Sequence, residues 1–336
     1  MLKIQRPLLA AFVLALALAP ATLLAHAPDA PSLATVALFN PAALETPESI
    51  VITRNGDRYI SLAFTGEIRK ITADGSQSTL AVIPIGPPLT VCGPFFNGLT
   101  GITLDPRTER SLYASAAACD PAFRGVWRVP LDGGAPEVVA TLPLEAIPNG
   151  IAFRHDRLYV ADSNLGVIWR VPAEGGTAEV WLEDPSLAGV ITPELPLPGA
   201  NGLQIFRNEV YVANSGQGTV LAISFGPGDT AGEIRVHAVM PPGTGGDDFA
   251  FDVHGNIYMT TDPANVLVKI APDGSTEILL TAADGLDGPT AAAFGRTGAD
   301  RFNLYITNAA FPFFTTTFRP SLMRLHLDVP GAPPNW

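Results

Sequence analysis

The sequence predicts an all-β protein, a six-bladed β-propeller that is closed by an N-terminal strand. Glycine and proline number 32 each among 336 residues, a density that suits short strands joined by tight turns and excludes a helical bundle. Each of the six tyrosines lies in a similar apolar segment, such as RLYVAD or EVYVAN. They are Tyr59, Tyr113, Tyr159, Tyr211, Tyr258 and Tyr305. Their spacing of 46 to 54 residues is typical of propeller blades, which repeat about every 40–50 residues.

Each tyrosine belongs to a unit with the same predicted order of strands. A short segment rich in small residues, such as NGIAF, precedes the tyrosine and is expected at the central axis as strand A. The tyrosine segment is strand B, and a segment such as GVWRVPLDGG follows as strand C and ends in a tight-turn signal. A variable outer strand D completes five units. The sixth unit lacks strand D, and residues 33–39 are predicted to supply it and close the ring.

The first 27 residues are predicted to be a signal peptide. Lys3 and Arg6 precede an apolar run at 8–19, and AHA at 25–27 has the small-x-small pattern of a cleavage site. An uncleaved anchor is the alternative. Residues 28–336 are expected to form a single propeller domain that is periplasmic or secreted. No other segment resembles a membrane span, so none is expected after removal of the leader.

Cysteine content and charge narrow the function classes. Outside the cytoplasm, Cys92 and Cys119 are free to form a disulfide, with two unpaired thiols as the alternative. Two cysteines are too few for a four-cysteine zinc site. The formal net charge of -12 argues against a nucleic-acid partner, which needs a basic face. The expected partner is a small-molecule substrate.

Oxygen-bearing side chains recur where the A strands begin. Glu48 and Asp247 each precede their tyrosine by eleven residues, Asp248 follows directly, and Asn149 and Asn201 are equivalent in PNGIAF and ANGLQIF. In a propeller these positions lie beside the axial tunnel at one face, so the side chains are predicted to converge. Hard cations prefer an all-oxygen shell, and calcium is the expected one, with another divalent cation as the alternative. For each residue alone, a turn or a solvated acid is the alternative.

The ordered combination of these segments resembles the gluconolactonase/regucalcin (senescence-marker-protein) family and, more distantly, the paraoxonases and strictosidine-synthase-like proteins. The resemblance covers nearly the whole mature chain and implies a calcium ion held in the tunnel by a Glu, two Asn and an Asp. The residues at the matching positions are Glu48, Asn149, Asn201 and Asp247. Paraoxonases also use a histidine pair near the site, whereas His155 and His254 are predicted in turns at the opposite face.

Aromatic residues are expected to shape a substrate pocket at the metal face. The segment NAAFPFFTTTF follows strand B of the sixth unit, and its phenylalanines would form an apolar wall, with packing that buries the rim as the alternative. If the wall lines a pocket, the substrate is more apolar than a free sugar lactone. The predicted pocket residues are Phe95, Phe96, Asp287, Asn308, Phe311, Phe313 and Phe314.

Three functions follow from this interpretation. The first is a calcium-dependent hydrolase, a lactonase or esterase, in which Asp247 or Asp248 activates water as a general base. The second is a non-catalytic extracytoplasmic propeller that binds a ligand or a protein. The third is a cyclising enzyme of secondary metabolism that uses the aromatic wall as a template. The fold alone does not choose among them.

Overall fold

The structure is a computed structural model that describes residues 33–333, except Pro94, Phe96, 192–195 and 316–317. The predicted signal peptide and Phe96 therefore lie outside the described residues. Within the described part there is no α-helix, and no helix is long and apolar enough to cross a membrane. Short 3₁₀ turns occur at Pro41–Ala43, Pro185–Leu187, Pro227–Asp229, Ala282–Asp284 and Gly298–Phe302.

The strands follow one another in four-stranded groups, each an antiparallel sheet. The chain starts with β1 (Leu33–Leu38) and continues into blade one: β2 (Pro47–Ile52), β3 (Arg58–Leu62), β4 (Glu67–Ile71) and β5 (Gln77–Val82). Blade two is β6 (Gly98–Leu104), β7 (Ser111–Ala117), β8 (Gly125–Pro130) and β9 (Glu137–Thr141). Blade three is β10 (Pro148–Arg154), β11 (Arg157–Asp162), β12 (Val167–Pro172) and β13 (Glu179–Glu183). A small hairpin of β14 (Val190–Ile191) and β15 (Pro196–Leu197) follows.

The second half of the chain repeats the pattern. Blade four is β16 (Ala200–Phe206), β17 (Glu209–Asn214), β18 (Thr219–Phe225) and β19 (Ala231–Val239). Blade five is β20 (Gly246–Phe251), β21 (Ile257–Thr261), β22 (Val266–Ile270) and β23 (Thr276–Leu280). Blade six is β24 (Pro289–Phe294), β25 (Asn303–Asn308) and β26 (Ser321–His326), with β1 as its outer strand. The A strands of neighbouring blades contact one another all the way round, so the predicted six-bladed propeller is confirmed.

The N-terminal strand closes the ring as predicted. Strand β1 pairs antiparallel with β26, from Leu33 opposite Leu325 to Leu38 opposite Ser321. Directly after β1, the backbone N–H of Phe39 donates to the carbonyl of Pro320 (3.0 Å), and its side chain is only 5% exposed. The closing segment therefore contributes both hydrogen bonds and buried apolar surface to the sheet that it completes.

The repeated tyrosines form the apolar contacts between blades. Each one is buried in a cluster shared with the following blade: Tyr59, for example, packs with Leu112 and Trp127 of blade two. Tyr305 of blade six packs with Ile50 and Ile60 of blade one, which continues the arrangement across the closure. The tyrosine recurs once per blade because each interface between blades needs one large side chain at the same depth.

Candidate functional site

Every A strand begins with an irregularity in its pairing with strand B. In blade three, for example, Pro148 is opposite Asp162 and Ile151 is opposite Val160, so two residues of β10 face one of β11. This is the geometry of a β-bulge, which turns a side chain away from the regular pleat. The first bulge residues of the six blades are Glu48, Thr100, Asn149, Asn201, Asp247 and Thr290.

The four predicted metal residues thus occupy four of six equivalent positions around one end of the tunnel. The other two positions carry threonines, and their hydroxyls are used for bonds between blades. Thr100 Oγ1 donates to the carbonyl of Pro148 (2.7 Å), and Thr290 Oγ1 donates to the carbonyl of Pro47 (3.1 Å). Two of the six bulge side chains, the threonines, therefore have a structural role. The side chains of the other four positions do not make such hydrogen bonds between blades.

The glycine of each Asn-Gly pair is explained by close approach between blades. A Cβ on Gly150 would lie 2.3 Å from the backbone nitrogen of Leu203, and one on Gly202 would lie 2.3 Å from the carbonyl oxygen of Asp247. No side chain fits at such distances, so glycine is required where neighbouring A strands meet. The Asn-Gly pairs therefore lie at bulges beside the tunnel, and a tight hairpin turn does not account for them.

Serine hydroxyls fix the orientation of both asparagine amides. The amide nitrogen Nδ2 of Asn149 donates to Ser163 Oγ (3.2 Å), and that of Asn201 donates to Ser215 Oγ (3.0 Å). Each serine in turn donates to a backbone carbonyl of the next blade, at 2.8 and 2.6 Å. Because the nitrogens are engaged, the carbonyl oxygens are the groups left for another partner. Asn201 Oδ1 is buried and accepts no hydrogen bond.

The carboxylates of this end of the tunnel influence one another. Burial, followed by the charges of Asp262 and Asp248, raises the pKa of Glu48 to about 8. Burial and then the charge of Glu48 raise the pKa of Asp247 well above its usual range. Burial raises the pKa of Asp248 to about 6, although hydrogen bonds from Phe249 and Gln204 oppose the shift. The acids therefore share one poorly solvated space.

Asp262 lies with these acids and was not predicted from the sequence. The acid cluster thus consists of Glu48, Asp247, Asp248 and Asp262. Asp262 Oδ1 is buried without a hydrogen-bond partner, and burial together with the charge of Asp287 raises the pKa of Asp262 to about 7. Asp262 follows Tyr258 by four residues, as Ser163 follows Tyr159. The tyrosine register was the available signal: the position that supplies the orienting serine in blades three and four supplies an acid in blade five.

The residues present fit a cation bound by oxygen. The buried side-chain atoms without hydrogen bonds at this end include Glu48 Oε2, Asn201 Oδ1 and Asp262 Oδ1, all of them acceptors. Acceptors without donors are satisfied by a positive charge, and oxygen ligands of this kind suit calcium. In the described part of the chain, no group of three or more His, Cys, Asp or Glu side chains could hold a metal ion by itself. A cation here would therefore depend on the asparagine oxygens as well.

These pKa shifts predict an unusual pH dependence for the protein freed of divalent cations. A carboxyl whose folded pKa is raised stabilises the fold below its unfolded pKa, and that stability is lost as pH rises towards the folded value. With Glu48 raised to about 8 and Asp248 to about 6, the melting temperature should fall by several degrees between about pH 4 and pH 8. Calorimetry in chelator measures the slope. Glu48→Gln should reduce it, and the exposed control Glu233→Gln should not; a flat profile would contradict the shared acid cluster.

Most of the predicted aromatic wall forms one packed group. Phe311 and Phe313 stack with ring centroids 5.3 Å apart, and Phe314 meets Phe313 edge-on at 4.9 Å. Phe64, which the sequence analysis missed, lies beneath them at 5.9 Å from Phe311 and 6.2 Å from Phe313. These four residues, Phe64, Phe311, Phe313 and Phe314, are called the aromatic shelf below. The signal for Phe64 was its place two residues after β3, in the loop at the same end of blade one.

The other predicted pocket residues are placed differently. Thr315 Oγ1 donates to Asp287 Oδ2 (3.2 Å), which ties Asp287 to the segment of the shelf. Asn308 is only 2% exposed, and its amide donates to the carbonyl of Gly285 (3.0 Å) in the connection that leads into blade six. Phe95 is partly buried in the loop before β6, where its carbonyl accepts the N–H of Cys92 (3.0 Å). The structure thus brings Asp287 to the shelf and places Asn308 in the interior.

A disulfide joins Cys92 and Cys119, with their Cα atoms 4.9 Å apart. Close to this bridge, the buried guanidinium of Arg124 donates to three backbone carbonyls, of Cys92, Ala118 and Ala146. Burial lowers the pKa of Arg124. Bridge and guanidinium together hold the long loop that leads into blade two.

A cavity of about 190 Å³ lies at the other end of the tunnel. It is lined by the later halves of all six A strands together with Arg296, Ala332 and Pro333. The turn residues His155 and His254 follow β10 and β20, so they too lie away from the acid cluster, as predicted. This cavity and the acidic side chains are therefore at opposite ends of the tunnel. Gln204 connects them, since it lines the cavity and its amide donates to Asp248 Oδ1 (3.1 Å).

The fold and this site define a class: a closed six-bladed propeller with an oxygen-rich, acidic end to its tunnel. No protein-family model matches the chain, and no curated relative matches it. Solved structures of the same fold do match.

A gluconolactonase from Xanthomonas campestris superposes with a TM-score of 0.63 at 15% identity over 89% of this chain and 90% of its own. Regucalcin from Agrobacterium tumefaciens, described as a calcium-binding protein, has a TM-score of 0.63 at 14% identity over 90% and 96%. A luciferin-regenerating enzyme has a TM-score of 0.63 at 15% identity over 90% and 98%. The resemblance inferred from the sequence is confirmed at the level of the fold.

Proposed function

We propose that this protein is a calcium-dependent hydrolase of lactones or related esters, with its reaction at the bulge end of the tunnel. The observation that carries the proposal is the pair of buried oxygen acceptors without hydrogen bonds at equivalent bulge positions, Glu48 Oε2 and Asn201 Oδ1. The names of the similar structures, a gluconolactonase and a calcium-binding regucalcin, support the same direction. The fold likeness by itself carries no chemistry.

Four side chains are assigned to the cation: Glu48, Asn149, Asn201 and Asp247. Two carboxylates supply charge, and two amides whose nitrogens are bound to serines present their oxygens. A bound calcium ion would polarise the carbonyl of the ester and stabilise the oxyanion. The hydrogen bonds from the two amide nitrogens to Ser163 and Ser215 keep the amide oxygens oriented whether or not substrate is present.

Asp248 is assigned as the general base. Its Oδ1 accepts the N–H of Phe249 (2.8 Å) and the amide of Gln204 (3.1 Å), and Oδ2 takes part in neither bond. A carboxyl with a pKa of about 6 is ionised at neutral pH and still basic enough to accept a proton. Asp248 takes a proton from the attacking water. The same proton then passes to the leaving alkoxide as the ring opens, which gives the hydroxy acid.

The test is turnover of a panel of lactones and aryl esters before and after chelation. Asp248→Asn should lower kcat by about 10²–10⁴-fold while calcium binding stays within a few-fold of wild type. Asn256→Ala, in the turn that follows β20, serves as a control at the opposite face. Absence of turnover for every lactone and ester with calcium present, or full activity of Asp248→Asn, would reject the assignment.

We also propose that the protein works outside the cytoplasm, in the periplasm or secreted. The leader-like N-terminus and the Cys92–Cys119 bridge support this. The exported protein should begin near residue 28 and carry no alkylatable thiol. Intact mass before and after alkylation measures both properties. A full-length mass with two alkylated cysteines would contradict the proposal.

A further inference from the structure

The aromatic shelf exposes apolar surface to water although its rings are packed against one another. Phe313 is 50% exposed and Phe314 is 52% exposed, whereas Phe64 beneath them is only 5% exposed. Phe311 and Phe313 are nearly parallel, with 13° between their planes, so one ring supports the next. Half-exposed rings held on a buried base are typical of a surface that binds an apolar group.

Hydrogen bonds lock the segment that carries the shelf. The carbonyl of Phe311 accepts the N–H groups of Phe314 (2.9 Å) and Thr315 (3.1 Å), which closes a turn. The N–H of Ala310 donates to the carbonyl of Asp287 (2.9 Å), and Thr315 Oγ1 bonds to the carboxylate of the same residue. Because the turn is tied at both ends to Asp287, the exposed rings are presented in a defined position.

The chain just before the shelf approaches Asp262, because a Cβ on Gly288 would lie 3.1 Å from the backbone nitrogen of Ala310 and 3.6 Å from Asp262 Oδ1. Thr307 of β25 donates through its Oγ1 to the backbone carbonyl of Glu48 (3.5 Å). The shelf begins four residues later, at Phe311. Phe64 follows β3 of blade one, the blade that carries Glu48. The shelf therefore combines residues that follow strands of blade six and of blade one, the blade that carries Glu48.

We propose that the aromatic shelf binds an alkyl or aryl substituent of the substrate, so that the preferred substrates are lactones or esters with an apolar chain and not polyhydroxylated lactones. This inference rests on the proposed function. The shelf presents ring surface, and among the described residues 311–315 the Thr315 hydroxyl is already engaged with Asp287. Buried hydroxyls without partners weaken binding, whereas each methylene against the rings strengthens it by about fourfold.

The experiment compares γ-lactones carrying methyl, propyl, pentyl and heptyl groups with glucono-δ-lactone, in the calcium-loaded protein. In wild type, kcat/KM should rise by about fourfold for each of the first methylenes and exceed that for the sugar lactone. Phe313→Ala and Phe314→Ala should flatten this dependence, so that the heptyl value falls at least about tenfold more than the methyl value. Phe313→Leu should restore part of the dependence. Ile278→Ala, which alters an equally exposed residue on an outer strand, should leave it intact.

Binding of the matching alkyl γ-lactams, which resist hydrolysis, separates the two proposals. Calorimetric affinities that rise with chain length and fall in Phe313→Ala would support the shelf even if no lactone were turned over, which would reject only the hydrolase. Turnover that is independent of chain length, or a preference for glucono-δ-lactone, would overturn the shelf and leave the hydrolase standing. Melting temperatures of the variants, expected within a few degrees of wild type because both rings are half-exposed, exclude unfolding as the cause.

Discussion

Glu48→Gln is expected to lower calcium affinity by at least about 100-fold and to remove most of the thermal stabilisation that calcium gives. A cation that binds only the folded state stabilises it by RT ln(1+[L]/Kd), about 2.7 kcal/mol when calcium exceeds Kd by 100-fold. The substitution preserves shape but replaces a charged oxygen at a buried position that otherwise accepts no hydrogen bond. Calorimetric titration and melting curves after thorough chelation measure the effect.

Two further variants make the result specific. Asn201→Ala removes a neutral oxygen and should also weaken binding, whereas His155→Ala, in the turn after β10, should not. In chelator, Glu48→Gln should melt higher than wild type, because burial and neighbouring acids disfavour the Glu48 charge. A hydrogen-bonded cluster without a cation site would show the opposite sign. Unchanged calcium affinity in Glu48→Gln and Asn201→Ala would refute the metal assignment.

Loss of the closing strand is expected to have the second large effect. Deleting 33–38 would leave β26 with an unpaired edge and uncover the apolar interior of blade six. Because the blades pack on one another in a ring, we expect the deletion to destabilise the whole propeller. The cooperative unfolding transition that wild type shows at its melting temperature should then be absent. Thermal and urea unfolding measure this directly.

A matched pair of point variants tests the same closure without removing the strand. Phe39→Ala removes a ring that is 5% exposed and should lower the free energy of unfolding by about 3–5 kcal/mol. Leu38→Ala alters the neighbouring side chain, which is 64% exposed, and should change it by less than about 0.5 kcal/mol. Equal effects of the two substitutions, or a deletion that melts like wild type, would contradict the role of this segment.

The fold was predictable because each blade solves the same packing problem with the same residue. One tyrosine in each strand B contacts the next blade. The number of tyrosines therefore gives the number of blades, and their positions align the repeats with one another. The missing outer strand of the last unit then predicted the closure by residues 33–39. The small hairpin of β14 and β15 was not predicted, because two-residue strands leave no periodicity in a sequence.

The site was only partly predictable, for a reason that lies in its construction. Four side chains share one bulge position in strand A: equal spacing from the tyrosine aligns Glu48 with Asp247, and matching flanking sequence aligns Asn149 with Asn201. Asp262 comes from the end of strand B instead, and its position reads as an ordinary turn residue unless it is aligned with Ser163 and Ser215. Phe64 reaches the shelf from a different blade. Contacts across blades depend on how the ring curves, which local sequence does not encode.

The pairing of β1 with β26 also has a consequence for how the protein folds. Leu33, near the start of the chain, is opposite Leu325, near its end. Strand β1 is the first strand of the described part of the chain, and it must therefore wait for β26, the last described strand, before its edge is covered. Contacts so distant along the chain form slowly, because the entropy cost of closing a long loop comes before the favourable energy of the contacts. During that interval β1 presents an open edge and blade one lacks the apolar contact with blade six, so folding yield should fall with protein concentration and rise with chaperone protection.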